Sequence, residues 1–577
     1  MSGVDDLIEE FADLDESEAY QLLDELGRQL PKIPESVYVP ENIVPGCQSR
    51  VWMVKSWAIK NPGDDQTAEL QIQADSDAII VKGLVSLLLE MYQTKTAQQV
   101  MDVDYVDIFD SLGLSNLITP QRKNGLHAMV QSIRGFAAQS LGESTTQSEN
   151  DPVASKPAAK ATKTTVPKIS RNIETIVSEF PILQQTLPSG KRPVFLDSGA
   201  SAQKPSAVID CERQVQEQYY ANAFRGRYYF GQRIDDGIEA TRAATASLIN
   251  ASSSDQIVFT SGTTMSINLV ATSWGRKFLK PGDEVVVSEM GHHANFVPWQ
   301  SVAKETGATL RILPINDEYV LDPSAIEKVI NPKTAMVAIS SMSNVLGTVN
   351  PIDEICARAH ENGAVVLVDA AQSAPHQPID VQASGIDFLC FSGHKLYGPS
   401  GIGILYGRSE LLDAMDPFMF GGHMIQTVGR DESTWSAAPA KFEAGTMPIV
   451  QIIALGEAID FVLSVGFDAI AQHEHALLKQ THLELSKIDG LKIHGPALDR
   501  KGAIVSFSID GIATEDLAYR LDQQGVFTRH GNHCAMVLHE RLGVPATTRA
   551  SLGMYNTQDD IATFANAMAG AVANIRR

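Results

Sequence analysis

Apolar positions along the first 140 residues follow two rhythms. "DDLIEEFADL" and "AYQLLDELGRQL" place their large side chains three and four residues apart, as on one face of a helix. "SRVWMVKSWAI" and "AELQIQADSDA" are strand-like, and "NPGDD" between them is a hairpin-type turn. Helical spacing returns in "VKGLVSLLLEMYQ" and "NGLHAMVQSIRGFAAQSL". A small α+β domain over residues 1–141 is expected, a twisted antiparallel sheet covered by helices. Residues 142–168 hold almost no large apolar side chain, so burial cannot repay the entropy of ordering them, and a flexible linker is expected.

From residue 169 onward the pattern changes again. "QIVFT", "DEVVVS", "TAMVAIS", "AVVLVD", "FLCFS" and "GIGILYG" are continuous apolar runs, and helical stretches such as "TMSINLVATSWGRKFL" and "IDEICARAHENG" alternate with them. Uninterrupted Val, Ile and Leu indicate strands covered on both faces, hence an α/β fold with a mostly parallel sheet. Ligands of such sheets bind beyond the carboxyl ends of the strands.

Composition narrows the function. With 44% apolar and 20% charged residues and a mean hydropathy of -0.07, the 577-residue chain is globular, and too long for a single core. A net charge of -23 argues against nucleic acid and anionic membranes, which require clustered Lys and Arg, and leaves small molecules and proteins as partners. The acidic start "MSGVDDLIEEFADLDESEAY" has neither the features of a secretory signal nor those of a transit peptide, and no apolar run approaches the roughly 20 residues that span a bilayer, so a cytoplasmic protein is expected. Five cysteines without C-x-x-C spacing suggest neither disulfides nor a metal site. Cys211, Cys356 and Cys390 lie in apolar surroundings and read as core. Cys47, in the Pro-Gly turn of "VPGCQSRVW", and Cys534, in the polar "RHGNHCAM", do not. The polar, partly basic loop around Cys534 favours thiolate.

Three strand ends carry candidate chemistry. "QIVFTSGTTMSINL" runs from a strand through Thr263 into a helix, where hydroxyls and free N–H groups suit an anion such as phosphate. "AVVLVDAAQ" ends an apolar run on Asp369, a carboxylate able to face a cationic nitrogen. "FLCFSGHKLYGPSGIG" sets Ser392, His394 and Lys395 between a buried strand and glycine turns, where desolvation makes an amine nucleophilic and able to form a Schiff base. Singly, these also read as a helix cap, a solvated aspartate and a surface lysine. Together they are what pyridoxal phosphate asks of a protein.

The order of these motifs resembles the class V aminotransferase family, and within it the cysteine desulfurases of the SufS kind. "LDSGASAQKP", "HHANFVPWQ", "SNVLGTVNP", "FEAGTM" and "RASLGMYNT" extend the resemblance over residues 195–557. It implies a fold-type I large domain with a smaller α+β C-terminal part from about 440 to 577. It implies pyridoxal phosphate held by Lys395, with Asp369 at the ring nitrogen, Gln372 at the phenolic oxygen, His292 on the ring, and Thr263, Ser392 and His394 at the phosphate. Thr446 would come from the second subunit of a homodimer. Asn344 and Arg549 would grip the carboxylate of an L-cysteine substrate, and Cys534 would take its sulfur, leaving alanine.

The first 140 residues resemble SufE-type sulfur acceptors through "VPGCQSRVW", "ADSDAIIVKGL" and "ITPQRKNGLHAM". The resemblance implies that Cys47 relieves Cys534 of its sulfur, with Arg122 near the acceptor site, and that iron–sulfur scaffold proteins lie downstream. A linker of about 27 residues spans roughly 25–30 Å, enough for an effective concentration of roughly millimolar. The sequence departs from the family at Phe224, Gly291 and Met447. Two alternatives are a selenocysteine lyase or other class V β-elimination enzyme, and an N-terminal domain that only docks partners.

Overall fold

The computed structural model describes residues 2–11, 14, 16–44, 50–58, 68–113, 120–141, 171–224, 226 and 228–576. The chain divides into two compact units, Met1–Thr164 and Thr165–Arg577. The turn "NPGDD", Cys47 and the linker expected over 142–168 fall outside the described residues, as does the side chain of Arg122.

In the first unit, β1 (Val51–Ala58) and β2 (Glu69–Ser76) pair antiparallel, Val51 opposite Ser76 and Ala58 opposite Glu69. Their alternation turns Val51, Met53, Leu70, Ile72 and Ala74 into one core with Leu84, Val85 and Leu88 of the helix Ile79–Tyr92. That helix crosses the helix Glu16–Gln29 at two glycines. A Cβ on Gly83 would overlap the Leu23 carbonyl, and one on Gly27 the Ile79 carbonyl, so the two backbones approach as closely as they do only because both positions lack side chains. Two short helices not expected from the sequence, Ala97–Asp102 and Tyr105–Ser111, precede the long helix Pro120–Ser140. The first of them starts at a capping box, Thr96 with Gln99.

The first strand of the second unit is the short β3 (Val194–Phe195), and a seven-stranded sheet follows. Its strands are β4 (Ile257–Thr260), β5 (Glu284–Ser288), β6 (Thr309–Leu313), β7 (Thr334–Ser340), β8 (Val365–Asp369), β9 (Phe388–Ser392) and β10 (Gly403–Gly407), in the order β4-β10-β9-β8-β7-β5-β6. All neighbours are parallel except β10, which is antiparallel to both β9 and β4. β6 is not legible as an apolar run because it is the edge strand, where only Leu313 is buried and no continuous apolar stretch is needed. The antiparallel β10 brings the carboxyl ends of β4, β9 and β8 to one side, with its first residue, Gly403, opposite both Thr260 and Ser392.

After a hairpin of β11 (Ile425–Val428) and β12 (Ser433–Trp435), the chain forms a smaller antiparallel sheet in the order β13-β14-β17-β16. Its strands are β13 (Leu491–His494), β14 (Ile504–Ile509), β16 (Arg529–Gly531) and β17 (Thr547–Ser551), while β15 (Val526–Phe527) pairs with β3. Leu477, Leu517, Phe564 and Met568 of the helices Phe467–Leu485, Thr514–Asp522 and Gln558–Ile575 share its core. The boundary expected near 440 precedes the helix Ile449–Val465, whose Ile452, Leu455, Ile459 and Val462 join the core of the large sheet. The small layer begins with Phe467–Leu485 and borrows β3, which precedes the large sheet in the chain.

Candidate active site

A cavity of about 530 Å³ opens beyond the carboxyl ends of β4, β8 and β9, and loops from the small layer close its other side. Ten of the residues singled out in the sequence line it: Thr263, His292, Asn344, Asp369, Gln372, Ser392, His394, Lys395, Cys534 and Arg549.

The anion end is built from three turns. β4 passes through Gly262, at φ 149°, into the helix Thr263–Val270, and the side chain of Ser392 at the end of β9 accepts from Thr263 N at 2.9 Å and lies 2.8 Å from Thr263 Oγ1. A Cβ on Gly403 would overlap the backbone of Gly262, so the glycine at the start of β10 is what lets this turn sit against the sheet. Two hydroxyls and a helix N-terminus then converge.

Asp369 is 5% exposed, and its carboxylate accepts from Ala371 N at 3.0 Å. Burial pushes its carboxyl upward, against the pull of Ala371 N–H, of Lys395 and of the Ser340 hydroxyl. A buried carboxylate with so few donors suits a cationic partner. Burial likewise brings Lys395 down to about 8, with Asp369 opposing and Arg549 assisting. About a tenth of its amine is then free base at pH 7, far more than an ordinary lysine offers, and the free base is the nucleophile. Gln372 donates from Nε2 to Gly199 O at 2.8 Å. His292 accepts the Ala294 N–H at Nδ1, 3.0 Å, so Nε2 carries the proton of the neutral ring. Burial first, then Lys395, holds it at about 4, so the ring is uncharged at neutral pH.

Opposite this end, Arg549 on β17 is 2% exposed and donates to Asn344 O at 2.9 Å and to Asp197 Oδ1 at 3.2 Å. Its Nε is buried without a partner among the described residues. Asn344 in turn donates from Nδ2 to His533 O at 2.7 Å. Arg529 stands directly across the ladder from Arg549 and takes the other side of Asp197, at 2.7 Å from Nη2 to Oδ2. The sequence marks Arg529 only as a member of the partly basic loop before Cys534 and does not mark Asp197 at all. Asp197 ends the apolar "VFLD", and Arg529 opens the polar run before Cys534, but only the β16–β17 register shows that one carboxylate serves two arginines.

Cys534 is exposed, and it and His533 both hold left-handed backbone, at φ 56° and 50°. His293 N donates to Cys534 O at 2.7 Å, which ties this turn to the His292 loop. From the sequence, the histidines beside Cys534 count among the basic groups of the loop. His533 is instead 8% exposed, its Nε2 sits 3.1 Å from Thr547 O, and burial drives it down to about 2, so it is neutral and the positive charge near Cys534 comes from Arg529 and Arg549. Cys356 and Cys390 are buried, whereas Cys211 is half-buried at the rim of the core.

Thr446 is exposed, lies just beyond the buried Glu443 in the chain, and does not line the cavity. The three departures have local explanations. Phe224 stacks on His423 with centroids 3.9 Å apart, a Cβ at Gly291 would crowd Ser288 O, and Met447 is packed in the core.

The chain is similar to known proteins along most of its length. Residues 194–564 match the family model of class-V aminotransferases, and residues 5–137 match that of the Fe-S metabolism associated domain, SufE. A cysteine desulfurase of Dickeya dadantii is 48% identical over 390 residues, 67% of this chain and 94% of its own length. A probable cysteine desulfurase of Halalkalibacterium halodurans is 46% identical over 397 residues, 69% and 97% of the two chains. Among solved structures, the Escherichia coli cysteine desulfurase CsdA aligns with a TM-score of 0.66 at 38% identity, covering 70% of this chain and 99% of that one. The chain therefore belongs to the class-V aminotransferase family, with cysteine desulfurases as its relatives and a SufE domain joined ahead of the enzyme.

Proposed function

We propose that the protein is a pyridoxal-phosphate-dependent cysteine desulfurase that converts L-cysteine to L-alanine, collects the sulfur on Cys534 and passes it to Cys47 of its own SufE domain. One observation carries this reading: an exposed thiol, a half-buried lysine of lowered basicity, a buried carboxylate and a buried arginine whose Nε has no partner among the described residues all line one cavity. The residues present fit the cofactor, because a hydroxyl-lined helix N-terminus suits its phosphate and the under-donated Asp369 suits its ring nitrogen.

Thr263, Ser392 and His394 would hold the phosphate, Gln372 the phenolic oxygen, and Lys395 the aldehyde carbon. When bound, pyridoxal phosphate supplies the electron sink that weakens the carbon–sulfur bond of the substrate. Asn344 and Arg549 orient the substrate carboxylate, since a guanidinium fork matches two carboxylate oxygens. His292, neutral with its proton on Nε2, would face the ring and donate a hydrogen bond from that atom. Cys534 would receive the sulfur, its exposed thiol lining the same cavity as Arg529 and Arg549.

The protein acts as a homodimer in the cytoplasm, and its sulfur goes on to iron–sulfur scaffold proteins. The exposed Thr446, lying off the cavity, and the exposed aromatic rings of Tyr228, Tyr229, Phe420 and Trp435 support a second copy of the chain. Mass spectrometry of the holoenzyme after addition of L-cysteine tests the relay. Persulfide is expected on Cys534 and Cys47 in the wild type, on Cys534 alone in Cys47→Ser, and on neither in Cys534→Ser. Sulfur that never reaches Cys47, or reaches it without Cys534, overturns the relay.

A further inference from the structure

The carboxylate grip is already engaged by groups of the protein itself. Arg549 spends one nitrogen on Asp197 and one on the backbone of Asn344, and the Asn344 side-chain amide is spent on the carbonyl of His533, immediately before Cys534. A continuous chain of hydrogen bonds thus runs from Asp197 through Arg549 and Asn344 to the strained turn that carries the nucleophile. Left-handed backbone at two successive non-glycine residues needs such outside support. Arg529 opens the strand leading into the same turn and binds the same carboxylate as Arg549, so Asp197 holds both ends of the loop's base.

We infer that Asp197 is a positioning residue that stands in for the substrate carboxylate: it keeps Arg549 aligned before substrate binds, and when a substrate carboxylate takes over Arg549 and Asn344, the His533 carbonyl loses its donor and the Cys534 turn is released. Substrate arrival and nucleophile mobility are thereby coupled. The unpartnered Nε of Arg549 marks where the incoming oxygen is favoured, since a buried guanidinium N–H without an acceptor gains most from one. Arg529 retains Asp197 after the exchange, so the displaced carboxylate is never left without a cation.

This inference rests on the reading of Asn344 and Arg549 as the carboxylate grip. It is tested by amide hydrogen exchange of the peptide spanning residues 532–536 in the full-length holoenzyme, with and without saturating L-alanine, which carries the carboxylate but no sulfur. In the wild type, L-alanine is expected to speed exchange at least threefold, the reverse of ordinary ligand protection. Asp197→Asn exchanges fast without L-alanine and gains little from it. Arg529→Gln leaves Asp197 wholly to Arg549 and leaves the displaced carboxylate without a cation, so the KM for L-cysteine rises; this variant alters an exposed side chain and keeps the test available if Asp197→Asn does not fold, and an unchanged KM overturns the exchange of partners. Protection by L-alanine in the wild type, or wild-type exchange in Asp197→Asn, overturns the coupling. Arg549→Lys separates the two readings: an unchanged KM for L-cysteine removes the grip itself, whereas a KM raised at least tenfold beside an unresponsive peptide removes the coupling alone.

Discussion

Removing the buried cation at Arg242 should destabilise the frame of the anion cradle more than any surface change. Arg242 and Glu443 are 2% and 3% exposed and meet through two hydrogen bonds, 2.8 Å from Nη1 to Oε1 and 3.0 Å from Nη2 to Oε2. The same guanidinium donates to Ile257 O at 2.8 Å and lies 4.4 Å from the centroid of the Phe259 ring, while Glu443 accepts from Phe259 N at 2.8 Å. The pair thus grips β4 at Ile257 and Phe259, in the strand that delivers Thr263. Arg242→Met leaves Glu443 buried with one donor, and breaking a buried pair from one side costs about 3–5 kcal/mol. Adding Glu443→Gln removes the stranded charge yet keeps an acceptor for Phe259 N, so the double variant should recover about 1–3 kcal/mol of that loss. Urea unfolding of wild type, both singles and the double measures this coupling. A loss below about 1 kcal/mol for Arg242→Met, or a double variant no more stable than that single, would refute the reasoning.

Two further outcomes follow from buried groups. Burial holds His292, His394 and His494 near 4, whereas an unfolded imidazole binds its proton near 6.5, so between those values the unfolded chain carries more protons. Stability should be full above pH 6.5 and fall as the pH is lowered towards 4, with a shallower fall in His494→Gln; thermal unfolding across that range checks it, and a flat profile contradicts it. Gly403→Ala forces a methyl group into the backbone of Gly262, so the variant should release pyridoxal phosphate at dilutions where the wild type keeps its visible absorbance; undiminished retention after gel filtration contradicts this.

Much of this molecule follows from local pattern. Period-two and helical spacing suffice for β1, β2 and their covering helices, and continuous apolar runs for six of the seven strands of the large sheet, because a strand covered on both faces must be apolar throughout. The polar residues that end those runs, Thr263, Asp369, Ser392 and Lys395, are legible for the same reason: a charge or hydroxyl beside a buried strand end must face something. Residues whose meaning depends on a distant partner are not. Nothing local distinguishes Asp197 from a surface charge, or gives Arg529 a partner, until the pairing of β16 with β17 sets two arginines face to face across one carboxylate, 332 and 352 residues away along the chain. Nor does "GNHC" disclose that His533 is buried and neutral while Cys534 beside it is exposed, since that choice is made by the Asn344 loop and Thr547 packing against the turn. The sequence by itself determined which elements form and which side chains carry chemistry, through patterns reaching only a few residues; tertiary structure alone decided which charges share a partner, because electrostatic pairing acts through space between segments far apart in the chain.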